Sequence, residues 1–400
     1  MMHLNINEFT YKKILKRRVS MFEADILENQ VKLLEEIQNK SVLVIGGAGT
    51  IGSSFIKELL AFKPRSLVVV DINENGLTEL TRDLRSTKGI FLPDEYITYP
   101  LNYSDSVFFK MFKNNKGFDI VANFSAHKHV RSEKDTFSVE ALIKNNVINA
   151  KELLNLLETY PPKHFFCVST DKASSPVNIM GGSKKIMEEL IMSYSNKYPV
   201  TTARFANVTF SNGSLPEGFL NRILKKQPIS APDDIKRYFV SPEESGQICL
   251  LACILGKSGE IYFPKLDKEH TMTFSDLATK LLKELSFNID ICKTEEEALN
   301  KSDFNKNYPV YFSRSDTTGE KQNEEFFSEE EVIDFKRFKS LGIVVNVKPR
   351  PKKEIDNLIT KFNNEFKKDY TTKEDIVKLM KDFLIKFDHV ELGKNLDSKM

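Results

Sequence analysis

A doubly wound α/β fold, a parallel sheet covered by helices on both faces, is what this sequence predicts, with a smaller α/β region and helical extensions at both ends. Three observations carry the prediction. Between residues 41 and about 210, the apolar runs "SVLVIG", "SLVVVD", "FDIVANFSA" and "HFFCVS" alternate with helical segments such as "SSFIKELLAF" and "VEALIKNNVINAKELLNLLETY". The first run leads into a glycine-rich turn, "GGAGTIG", that opens one of those helices. The second run ends on a carboxylate, Asp71, 19 residues after Gly52. Such alternation implies parallel strands buried on both faces.

Ahead of the first strand, residues 1–40 carry Ile14, Leu15, Val19, Phe22, Ile26 and Leu27 near a 3.6-residue period. They are expected to form a helical appendage. Residues 41–210 hold the β/α alternation and form the main unit. After about residue 210 the alternation becomes irregular, which predicts a smaller region over 211–345, interleaved with the sheet and built over its carboxyl edge. A substrate is expected there. Residues 346–400 end in a helix, with Thr371 and Glu374 as a capping box and Ile376, Leu379, Met380, Phe383 and Leu384 as one apolar stripe. The stripe suits packing or subunit contact, and a homo-oligomer is expected.

Composition narrows the class. Lysine and arginine number 58 against 56 acidic residues, a net charge of only +2, so no basic stripe argues for nucleic acid. The N-terminus has charges but no apolar core behind them, and no stretch reaches the roughly 18 apolar residues of a membrane span. A cytoplasmic protein is expected. Cys167, Cys249, Cys253 and Cys292 are read as buried thiols in a reducing compartment, because no histidine or cysteine cluster with metal-ligand spacing accompanies them. No metal is expected.

"VLVIGGAGTIG" satisfies both G-x-x-G-x-x-G (Gly46, Gly49, Gly52) and G-x-G-x-x-G (Gly47, Gly49, Gly52). Glycines at these places allow a tight turn and let the backbone approach a pyrophosphate at the positive end of a helix. Asp71 stands where a carboxylate accepts the ribose hydroxyls of NAD, and it would repel the 2′-phosphate of NADP. The following "DINENG" has no arginine to receive that phosphate, so NAD is expected rather than NADP.

"STDKASSPVNIMGGSKK", residues 169–185, starts where "HFFCVS" ends, which puts Thr170, Asp171 and Lys172 at the carboxyl edge of a strand. Met180 and Lys184 share a helix face at i, i+4 spacing. The spacing resembles the tyrosine–lysine pair of a short-chain dehydrogenase, with methionine in place of tyrosine. Methionine has no exchangeable proton, so another group must move protons.

With "GGAGTIG", "NFSAHKHV", "RFANVTFSNGS", "KRYFVSPEE" and "TTGEKQNEEF" in the same order, the chain resembles the extended short-chain dehydrogenases of the nucleotide-sugar 4,6-dehydratase type. Within that family it is most similar to the bacterial polysaccharide-biosynthesis branch acting on UDP-N-acetylglucosamine. The resemblance covers about residues 41–345 and implies a Rossmann fold, a bound NAD and a UDP-sugar substrate. It makes Lys172 the base at C5 and Asp171 the acid at the C6 hydroxyl, with Thr170, Met180 and Lys184 around them. Against the cofactor it places Gly46, Gly49, Thr50, Ile51, Gly52, Asp71, Ser125, Ala126, Lys128 and Lys184, and against the substrate His129, Asn207, Ser214 and Arg237. Where relatives read R-P-G-E-K, this chain has Thr317, Thr318, Gly319, Glu320 and Lys321, one phosphate-binding arginine fewer. Two other readings use the same motifs: a C4 or C5 epimerase, and a protein that binds NAD without turnover.

Overall fold

Five strands form the buried centre of the sheet, covered by helices on both faces. They are β1 (Ser41–Ile45), β2 (Ser66–Asp71), β4 (Ile120–Asn123), β5 (His164–Val168) and β6 (Val200–Ala203). The first four read as near-continuous apolar runs, while β6 carries two threonines. Between β2 and β4 in sequence, β3 (Glu95–Pro100) is an edge strand and stays partly exposed along its length. The computed structural model describes residues 4–304, 306–315, 324–345 and 347–389, so the Thr317–Lys321 stretch lies outside the described residues.

Among the described residues, nine strands join in one sheet, in the order 332–334, 341–345, 260–264, β6, β5, β4, β1, β2, β3. From β3 to strand Glu260–Pro264 all pairings are parallel; strands Leu341–Val345 and Val332–Asp334 close the far edge antiparallel. The strand order reverses between β1 and β4, which opens a crevice at their carboxyl ends. This is the Rossmann-type architecture expected from the alternation.

Successive residues of β1 go to opposite faces, Val42 and Val44 into one core cluster and Leu43 and Ile45 into the other. Helices Thr50–Leu60 and Pro242–Leu255 fill the first face; helices Thr136–Ile143, Asn149–Thr159 and Ile179–Met192 fill the second. A third cluster, with Phe219, Ile229, Leu277, Leu281 and Tyr308, holds the smaller region and its two three-stranded sheets. All four cysteines are buried and free.

The first forty residues are not an appendage. Phe22, Leu33 and Ile37 are fully buried against the sheet helices, while Phe9, Ile14 and Leu15 join the core of the smaller region. The helical period breaks at Lys16, whose φ of 54° ends a π-turn, and beyond that break Val19 and Leu27 are exposed. Arg17 then grips Glu244 through two nitrogens.

The C-terminal helices are likewise integral. Ile355, Leu358, Phe362, Ile376 and Met380 share a cluster with Ile186 and Met187 of helix Ile179–Met192. The capping box sits one residue later than expected, on Thr372 and Asp375, because the helix starts at Lys373. Thr371 instead donates to the Glu365 carbonyl at 2.9 Å. Among the described residues no helix is long and apolar enough to cross a membrane.

Candidate active site

The glycine turn is built by close packing. Gly46 has φ +73°, and a Cβ on it would stand 2.7 Å from the Ser125 nitrogen; a Cβ on Gly52 would stand 2.4 Å from the Gly46 carbonyl oxygen. Gly49 differs, since a Cβ there would meet only the Gly46 oxygen at 3.5 Å. Gly49 is the N-cap of the 11-residue helix Thr50–Leu60, and no side chain caps that helix. The first-turn N–H groups, including those of Thr50, Ile51 and Gly52, therefore present an uncapped positive end beside an open glycine. These residues fit a dinucleotide pyrophosphate. Asp71 accepts from the Ala48 nitrogen at 3.0 Å and the Asn73 nitrogen at 2.9 Å, one bond on each carboxylate oxygen. Each oxygen keeps a lone pair for a ribose hydroxyl.

After β4 the chain runs through Ser125, Ala126, Lys128 and His129 along the same edge. Asn123 holds the Ser125 nitrogen at 2.9 Å. Buried Asn146 accepts from the His127 nitrogen at 2.9 Å and donates to its carbonyl and to Ser183 Oγ, both at 3.0 Å. A loop of the smaller region closes on this edge: Asn212 donates its N–H to Thr50 Oγ1 at 2.9 Å, and its carbonyl accepts from Lys128 Nζ at 3.1 Å. A Cβ on Gly213, at φ +73°, would lie 3.0 Å from His129 Nε2. Ser214 caps helix Leu215–Leu224 by accepting from the Glu217 nitrogen.

At the carboxyl end of β5, Thr170 Oγ1 donates to Asp171 Oδ1 at 2.8 Å, and Lys172 Nζ lies 3.2 Å from the same oxygen and 3.3 Å from Oδ2. Burial opposes the Lys172 charge, but Asp171 and Glu324 outweigh it and raise its pKa. Met180 is 2 % exposed and sits in the core; its N–H donates to buried Glu133 at 2.8 Å. Lys184 is buried too, donating to the Val168 carbonyl at 2.6 Å, and burial pushes its pKa down. Asn207 and Arg237 converge on buried Glu324, at 2.5 Å and 3.5 Å.

Sequence reading missed four supports of this site. Asn146 lies in a π-turn, Lys144–Ile148, inside a helical run; the polar pair "NN" amid apolar residues was its only sign. Glu133 orients Met180 from 47 residues away. Fully buried Arg204 pairs with Glu188 at 2.8 Å and Glu331 at 2.8 Å, and Glu188 accepts from Ser169 at 2.7 Å. Glu324 is the fourth.

Sheet order and edge define a Rossmann-type protein of the extended short-chain dehydrogenase architecture. The chain belongs to the polysaccharide biosynthesis protein family, whose model matches residues 42–345. It is 32% identical over 257 residues to the "Uncharacterized membrane protein MJ1061" of Methanocaldococcus jannaschii, covering 62% of this chain and 72% of that one. It is 28% identical to the Staphylococcus aureus "Capsular polysaccharide biosynthesis protein CapD", covering 67% of this chain but only 46% of the relative, so it spans about half of that protein's length. A Campylobacter jejuni "UDP-N-acetylglucosamine 4,6-dehydratase (inverting)" is 26% identical, with 62% and 73% of the two chains covered. Among solved structures, "Pen from Bacillus thuringiensis" superposes with a TM-score of 0.64 at 21% identity, over 82% of this chain and 98% of that one.

Proposed function

We propose that this protein is an NAD-dependent nucleotide-sugar 4,6-dehydratase that converts UDP-N-acetylglucosamine to a UDP-4-keto-6-deoxy-N-acetylhexosamine for polysaccharide synthesis. The observation that carries the reading is the Thr170–Asp171–Lys172 cluster at the end of β5, beside a Met180 that is buried and protonless. The activity named for the Campylobacter relative supports the substrate. When bound, NAD supplies the hydride acceptor for C4 and the hydride donor for C6. The glycine turn, Asp71 and the Ser125–Lys128 segment would hold it, and the Asp71 carboxylate would repel the 2′-phosphate of NADP.

The chain's own residues handle two protons. Thr170 already donates to Asp171, so its oxygen accepts from the C4 hydroxyl and relays that proton onto Asp171. Once protonated, Asp171 no longer holds the Lys172 ammonium; burial then favours the amine, so the ammonium releases one proton to water and takes one back when the cycle closes. Lys172 takes the C5 proton, made acidic by the neighbouring C4 ketone. Asp171 passes its proton to the C6 oxygen, which leaves as water, and Lys172 returns a proton to C5. Asn207 and Arg237 bind the diphosphate, for which a guanidinium fork is well shaped.

Incubation with UDP-N-acetylglucosamine should give a product lighter by one water, with a C4 ketone and a C6 methyl group by NMR. A product of unchanged mass, inverted at C4 or C5, would reject dehydration in favour of epimerisation.

Met180 acts here only as packing. Met180→Leu nearly conserves volume and should keep most of the activity, with a stability change below about 1.5 kcal/mol. Met180→Tyr should bring no large gain. A rise of about tenfold or more would mean that the native site lacks the base a tyrosine supplies, since such a base contributes about 10²–10⁴-fold.

A further inference from the structure

Glu324 is 9 % exposed, and each of its oxygens is engaged. Oε1 accepts from Asn207 Nδ2 at 2.5 Å and lies 3.5 Å from Arg237 Nε; Oε2 accepts from the Tyr238 N–H at 2.9 Å. Asn207 and Arg237 are the residues that the proposed function gives to the substrate's diphosphate. A carboxylate of the protein thus stands among donors suited to a phosphate oxygen. We infer that Glu324 is an internal anion at the diphosphate position, and that a bound nucleotide diphosphate takes Asn207 and Arg237 from it and leaves it protonated. The inference rests on the nucleotide-sugar reading of this site.

The surroundings of Glu324 decide the direction of proton movement. Among the described residues, the charged groups acting on it are Asp171 and Lys172 from the loop after β5 and Arg237 from strand Lys236–Val240. The phenol of Tyr238 also feels its charge. Burial first, then Asp171, push the Glu324 carboxyl up to about 7, against the opposing pull of Lys172 and Arg237. A diphosphate on the same donors removes two of the interactions that favour the carboxylate and brings new negative charge beside it. Both changes favour the acid. The neutral acid can keep the Tyr238 N–H on its carbonyl oxygen and donate its own proton to a phosphate oxygen.

The consequence is proton-linked binding. Above pH about 7 the free site is ionised, so binding takes up a proton and affinity falls by up to about tenfold per pH unit. Below that pH the acid is already formed, and affinity is flat.

The probe is uridine 5′-diphosphate methyl ester, whose diphosphate does not titrate near neutrality and which has no sugar to react. Calorimetry in buffers of different ionisation enthalpy reads the protons taken up. The wild-type protein should take up close to one proton at pH about 8.5 and almost none at pH about 6. Glu324→Gln should take up none at either pH and bind about tenfold or more tightly than wild type at the higher one. Glu324→Asp, which restores a titrating carboxyl, should restore the uptake. Wild-type binding without proton uptake, or uptake that persists in Glu324→Gln, overturns the inference and leaves the nucleotide reading standing. Failure of both wild type and Glu324→Gln to bind the probe overturns the two together.

Discussion

Replacing Lys172 by alanine will lower the dehydration rate about 10²–10⁴-fold, the usual worth of a positioned general base. Among the described residues its side-chain hydrogen bonds go to Asp171, so the glycine turn and Asp71 are left intact and cofactor content should not change. Asp171→Asn should be similarly damaging, because the amide can still accept from Thr170 but can neither take the relayed proton nor act as the acid for the C6 oxygen. The two effects should not add, since the side chains act as one proton-handling unit. Steady-state rates with cofactor occupancy measured on the same samples decide the matter. A Lys172→Ala protein with near-normal rate would show that another group removes the C5 proton.

Arg204→Leu should cost the fold about 3–5 kcal/mol, the usual penalty for removing one member of a buried ion pair. Arg204 is fully buried, with Nε and Nη2 on Glu188 at 2.9 Å and 2.8 Å, Nη1 and Nη2 on Glu331 at 2.8 Å, and Nη1 on the Phe326 carbonyl at 2.8 Å. Without it, Glu188 is left at 1 % exposure with Ser169, Lys184 and Lys185 in place of a guanidinium, and the segment carrying Glu324 loses its clamp. Denaturant unfolding should show the loss. Adding Glu188→Gln should recover part of it by removing the stranded charge. A loss below about 1 kcal/mol in the single variant would mean that water or a rearranged partner replaces the guanidinium.

Periodicity and turn chemistry made the sheet and its edge readable. β1, β2, β4 and β5 are apolar along their interiors, with polar residues only at their ends, so their runs stand out, and the glycine turn and Asp71 follow from local spacing. β3 escaped because an edge strand with one solvated face has no continuous apolar run. The supports of the site escaped for a different reason. Arg204 is 16 residues from Glu188 and 127 from Glu331, and Asn207 is 117 from Glu324. Such pairs are made by the fold and have no period. The N-terminal residues misled because amphipathic spacing says which face is apolar and not what covers it; Phe22 and Phe9 turn out to serve different cores.

The central claim is that Lys172 and Asp171 move the C5 proton and expel the C6 hydroxyl. Turnover of UDP-N-acetylglucosamine in D₂O, with the product read by mass and proton NMR, tests it most directly. The account predicts a 4-keto-6-deoxy sugar short of one water and carrying deuterium at C5. A sugar of unchanged composition, or a dehydrated product with its original C5 hydrogen, would contradict it.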